Sequence, residues 1–222
     1  MSSGSAPTML RPMGLLEIVD QTFRLYRRQF LLFFGIAAVL YVPWGVLQAI
    51  PFINVVAVIL IVPFALIAGA AMTKAVSDVY LGRTTTIGQA YGYIRVVPFL
   101  LTILLAYLMV LGGFILAVIP GIIFVFWIAF VSQVFVIEGK QYKEAIVRSK
   151  FLIGKGTWAE VIVLMFIVGI ISTVIQGVLG LVLGASTAAF EDAGRVPIHI
   201  GLVNGLIQAL VTPLGQIAMV LL

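Results

Sequence analysis

Two stretches of this chain, residues 29–73 and residues 96–137, contain no Lys, Arg, Asp or Glu. A helix crosses the hydrocarbon layer of a bilayer with roughly 20 apolar residues, so each stretch has room for two crossings and a turn. An ordinary soluble domain carries about 25% charged residues. Here 222 residues are 63% hydrophobic and only 9% charged. Such a chain must satisfy its backbone without water, which a helix does within its own segment. The expected fold is all-α: a polytopic integral membrane bundle of six transmembrane helices plus three amphipathic surface helices.

The first charge-free stretch breaks at Ile50–Asn54 and the second at Ile119–Gly121, "IPG", where Pro and Gly supply turns. Two further apolar segments follow. The predicted spans are therefore 31–50, 54–73, 97–118, 121–137, 158–184 and 197–222, within a single domain over 14–222. Residues 1–13 read as a flexible tail without the apolar core of a signal peptide. Pro43, Pro63 and Pro213 fall inside spans, where neighbours satisfy the freed carbonyls and a simple kink results. Trp44 and Trp158 suit the two interfaces, and Trp127 falls deeper, packed between helices.

Basic residues set the orientation. With the N-terminus inside, every Lys and Arg except Arg195 faces the cytoplasm, and both termini lie there. The expected location is a prokaryotic cytoplasmic membrane. The inner segments are themselves helical in pattern, at 14–29, 86–95 and 141–153, each preceding a hairpin of spans. In the first, Leu15, Leu16, Val19, Thr22, Phe23, Tyr26 and Phe30 share a face, opposite Glu17, Asp20, Arg24, Arg27 and Arg28. Ile87, Ala90, Tyr91 and Ile94 mark the second, with Thr85 or Thr86 as its N-cap. In the third, Tyr142, Ala145, Ile146, Ser149, Leu152 and Ile153 oppose Lys143, Glu144 and Arg148. Such helices anchor at lipid phosphates or pack on the bundle's own ends. The sharper expectation is a basic floor of Arg24, Arg27, Arg28, Lys143, Arg148 and Lys150 that meets lipid headgroups or a partner.

Catalytic patterns are scarce. His199 is the one histidine and there is no cysteine, so a zinc or thiolate site lacks ligands. Glu191 and Asp192 are neighbours and read as a solvated loop. No phosphate loop, nucleophile elbow or ionisable residue deep in a span stands out. The reading is a non-enzyme without metal or cofactor, and without a basic face extensive enough for nucleic acid. Uncharged polarity remains. Asn204, Gln208, Thr212 and Gln216 recur every four residues on the sixth span, and Ser172, Thr173 and Gln176 lie on the fifth. They suggest a polar seam, either interhelical hydrogen bonding or a solute path. Gly180 with Gly184, and Gly201 with Gly205, add small-xxx-small spacings that permit close helix approach.

"LRPMGLLEIVDQTFRLYRRQF" and "IPGIIFVFWIAFVSQVFVIEGKQYKEAIVRSKFLIGKGTW" resemble the membrane domain of the glycerophosphoryl diester phosphodiesterase family and related prokaryotic six-helix membrane proteins. The matching features are Arg11-Pro12, Asp20, Pro120-Gly121, Glu138-Gly139, Glu144-Ala145, Arg148-Ser149, Gly154, Gly156 and Trp158. In some family members this module is joined to a soluble barrel that holds the catalytic metal, histidines and carboxylates. These 222 residues contain none of that barrel. The resemblance thus implies a membrane module and not a hydrolytic activity. The expected role is an accessory or scaffold unit that packs with other membrane proteins, with itself, or with membrane lipids. The alternative is a transporter or lipid-handling protein using the seam.

Overall fold

A computed structural model describes residues 14–47, 53–154, 158–182 and 198–222, and all its regular elements are helices. In chain order they are α1 (Leu15–Arg28), α2 (Phe30–Leu47), α3 (Ile53–Tyr80), α4 (Ile87–Gly92), α5 (Val96–Leu116), α6 (Val118–Trp127), α7 (Val131–Glu138), α8 (Tyr142–Ile153), α9 (Trp158–Val182) and α10 (Ile198–Leu221). Six segments are long and apolar enough to cross a membrane: α2, Val62–Tyr80 of α3, α5, α6 with α7, α9 and α10. The protein is an all-α membrane bundle. The predicted tail at 1–13, residues 50–52 of the turn expected at Ile50–Asn54, and Gly184, Glu191, Asp192 and Arg195 lie outside the described residues, while Ile53 and Asn54 already belong to α3.

α10 is the hub, packing on α2, α3, α9 and α1. Its approach to α2 depends on glycine. A Cβ on Gly201 would run into the carbonyl oxygen of Gly45, one on Gly45 into that of Gly201, and one on Gly205 into that of Tyr41. The small-xxx-small pair Gly201/Gly205 therefore joins the sixth span to the first, not to the fifth. α3 offers a similarly narrow side, with Ala68, Ala70, Ala71 and Ala75 buried. The wider core holds Phe33, Ile36, Val76, Phe99, Val131 and Phe135, with Phe99 and Phe135 meeting edge-on at 5.2 Å.

The hairpin of α5 and α6 turns at Ala117, which is fully extended with φ −172° and ψ 162°. The expectation that Pro120-Gly121 makes this turn is corrected. Pro120 sits in the first turn of α6, where its missing N–H costs nothing, and Gly121 receives the ring of Phe114. Gly113 reciprocally faces Phe124 and Gly121. Two further boundaries differ from expectation. α3 continues past residue 73 to Tyr80, because Lys74 and Asp78 pair along the helix and remain largely buried. The fourth span is not continuous: it breaks at Ile128–Phe130 between α6 and α7.

Pro43, Pro63 and Pro213 lie within unbroken helices, as expected of simple kinks. The outward surfaces are apolar, as on α5, where Leu101, Leu104, Leu108, Leu111 and Ile115 are exposed. Lipid is the natural solvent for such faces.

The glycine contacts yield a paired test. Gly205→Ala should lose about 1–3 kcal/mol through overpacking, more than the roughly 1 kcal/mol that Ala gains over Gly in a helix. A Cβ at Gly180 meets nothing within 4 Å, so Gly180→Ala should leave thermal unfolding in detergent unchanged or slightly improved. Equal behaviour of the two variants would contradict the packing.

Candidate functional site

The three short helices are fastened to the bundle, each through a hydroxyl group. α1 packs on α10, α4 on α3 and α2, and α8 on α5, α6 and α7. The described Lys and Arg residues lie on these helices or on adjoining turns and helix ends, so this is the basic end of the molecule. On α1 the buried residues are Ile18, Thr22, Leu25 and Tyr26, whereas Leu16 and Phe23, with Phe30 at the start of α2, point outward. The expected single apolar face is thus divided. One edge meets Leu164 of α9 and Ala218 of α10, and the other is left for the membrane.

The Tyr26 hydroxyl donates to the carbonyl of Leu210 at 2.7 Å. That carbonyl follows Ala209, whose own helical donor is removed by Pro213. α4 is stitched in the same way: the Tyr91 hydroxyl donates to the Ile36 carbonyl at 2.8 Å. Thr86, not Thr85, caps α4, in a reciprocal capping box with Gln89.

The break in the fourth span has a specific partner. Ala129 and Val131 bond back three residues, to Phe126 and Ile128, and the Phe130 N–H donates instead to Ser149 Oγ of α8 at 3.1 Å. Ser149 is fully buried. A buried donor left unpaired costs about 1–3 kcal/mol, so irregular backbone here requires α8 in place. A second bond fixes the start of α8, where Tyr142 has the left-handed φ of 49° and its N–H donates to Thr102 Oγ1 at 2.9 Å. Ala145, Ile146, Ser149 and Ile153 are buried as expected, while Tyr142 is exposed.

The charges on this end are mostly committed. Arg148 Nε donates to both carboxylate oxygens of Glu138, at 2.8 and 2.9 Å, and Lys140 Nζ lies 3.3 Å from the same group. Lys150 Nζ stands 3.8 Å above the Trp127 ring. Trp127 therefore sits at the helix break under a lysine, not deep between helices. Arg24 pairs with Asp20 at 2.8 Å, but both are exposed and such a pair contributes little. Arg27, Arg28 and Lys143 are exposed.

Lys74 Nζ reaches both oxygens of Asp78 at 2.6 Å and lies 4.7 Å from the Tyr93 ring. Sequence reasoning missed this pair, although its i,i+4 spacing was visible. It also missed the carboxylate of Glu138 as organiser of the basic end, and Gln133, whose buried Oε1 has no hydrogen-bond partner among the described residues.

The proposed seam contracts to one contact. Gln208 Nε2 donates to Gln176 Oε1 at 3.1 Å between α10 and α9. Nearby apolar packing joins Ile207 and Val211 to Ile175 and Leu179. Ser172, Asn204 and Thr212 are half-buried, and Thr173 is on the outer surface of α9. The amide of Gln216 lies instead against Gly69 of α3. A four-residue step advances 400° around a helix of 3.6 residues per turn. Asn204 to Gln216 consequently swings by about a third of a turn, too far to face one neighbour.

His199 is exposed at the start of α10, and among the described residues no three His, Asp or Glu side chains cluster as metal ligands.

Burial raises the hydroxyls of Tyr26 and Tyr91 from 10.0 to about 12, with Tyr41 adding to the effect at Tyr91. Above pH 10 the unfolded chain releases protons that the folded chain retains. Their contribution to stability is complete below pH 10 and is lost as pH rises toward 12. Tyr26→Phe should flatten that alkaline decline, measured as unfolding temperature against pH in parallel with the parent protein. An unchanged slope would show that the hydroxyl is not buried as described.

No protein-family model, curated protein or solved structure matches the chain.

Proposed function

We propose that this protein is a non-catalytic membrane module that packs laterally against another membrane helix, from a partner subunit or a second copy. The setting is a prokaryotic cytoplasmic membrane with the basic end and both termini inside. The observation that carries this reading is the outer face of α9, the span with the smallest buried share. On that face Gly169, Thr173 and Gly177 are exposed at four-residue intervals, and a Cβ at either glycine would meet nothing within 4 Å. Small residues at this spacing let helix backbones approach closely, and a hydroxyl among them supplies an interhelical hydrogen bond. At Gly201 and Gly205 the same spacing is used inside the bundle.

The residues that carry the resemblance to the phosphodiesterase membrane domain support the same reading. Glu138 and Arg148 hold each other, Gly139 ends α7 with a left-handed φ of 69°, and Ser149 caps the helix break. Each of these has a structural task. The alternative, a solute path between the fifth and sixth spans, draws less support. Its two glutamines bond directly to each other and Thr173 faces away.

A photo-crosslinking residue at position 173 in native membranes tests the proposal. It should give a discrete protein adduct, whereas the same residue at Leu104 on the outward side of α5 should give lipid adducts only. Lipid adducts at both positions would remove the proposal's basis.

A further inference from the structure

We infer that the outward side of α8 is a binding site for a phospholipid with a net-negative headgroup. Lys140, Lys143 and Arg148 line an open shelf together with Glu144, Val147 and Phe151. Arg148 is oriented through its Nε by Glu138, which leaves its two terminal nitrogens without a hydrogen bond from the described residues. Lys143, five residues earlier on α8, lines the same shelf and forms no ion pair with any described residue. A guanidinium held by its inner nitrogen and an unpaired ammonium on the same shelf offer donors suited to phosphate oxygens.

Two features favour a lipid over a soluble phosphate. Val147 and Phe151 are 57% and 50% exposed, immediately beside the bases, and give the upper part of an acyl chain an apolar surface. The shelf is also rigidly placed, because Ser149, Tyr142 and Glu138 fix α8 to the bundle. Lysines and arginines at the boundary, with apolar groups alongside them, match the division between headgroup and acyl chain. Lys140, Lys143, Arg148 and Lys150 outnumber Glu138 and Glu144 on this end, so the face is net positive. The site depends on membrane embedding alone and not on the α9 contact, so the two ideas fail separately.

The test uses the full chain in nanodiscs of phosphatidylcholine doped with phosphatidylglycerol, with retained lipid identified by native mass spectrometry after release. The parent protein should retain phosphatidylglycerol over phosphatidylcholine. Each of Lys143→Gln and Arg148→Gln should weaken that preference roughly fivefold, the equivalent of about 1 kcal/mol per basic group near a charged surface. Lys143→Arg should restore it, and Arg83→Gln, in the turn before α4, should leave it intact. Val147→Ser with Phe151→Ser should reduce retention of the lipid, and millimolar inorganic phosphate should not displace it.

If inorganic phosphate competes fully, the site takes a free phosphate and the lipid assignment is overturned. No headgroup preference in the parent protein, or equal preference in parent and Lys143→Gln, also overturns it. A Lys143→Gln variant with parental unfolding temperature keeps the comparison free of folding effects.

Discussion

In a hydrocarbon layer, a backbone N–H or C=O that lacks a partner has no water to turn to. That constraint shapes the division of labour among the described helices. Long apolar segments satisfy themselves, and where the fourth span does not, a docked short helix supplies the missing partner. The fourth span breaks at Ile128–Phe130, and Ser149 of α8 accepts the Phe130 N–H. Tyr26 of α1 adds a second donor to the Leu210 carbonyl of α10. α4 uses Tyr91 on Ile36. The amphipathic helices are thus parts of the bundle, with only their outer edges left for lipid.

Close approach supplies the rest of the stability. Without hydrophobic gain between helices in lipid, contact must come from packing and polar bonds. Gly45, Gly201 and Gly205 bring α2 and α10 nearly into backbone contact, and Gly113 and Gly121 accept phenylalanine rings from the facing helix. A helix such as α9, with small residues on an uncovered side, stands out against this background.

Much of the fold was legible from charge and hydropathy. Residues 29–73 and 96–137 announced two hairpins because a charge-free run that long has few other uses. The amphipathic pattern of residues 141–153 was also legible, and its Ala145 and Ser149 edge is the buried one. What sequence could not show depends on partners distant in the chain. Nothing near Phe130 signals a break, because the compensating hydroxyl lies 19 residues away. The second span was ended at residue 73 because Lys74 was read alone, when Asp78 one turn later neutralises it. Helical drift limits the polar seam: Gln208 meets Gln176 in an interhelical hydrogen bond, and Gln216 turns to α3.

The result is an all-α membrane bundle in which much of the polar chemistry of the described residues holds its own helices together, and the proposed partner contact falls on the outer face of α9. The most direct test is the mass of the particle extracted from native membranes by a lipid-retaining polymer, without detergent. The account predicts a particle containing a second polypeptide, seated on the Gly169–Thr173–Gly177 face of α9. A particle with the protein mass of one chain, its α9 face covered by lipid alone, would contradict it.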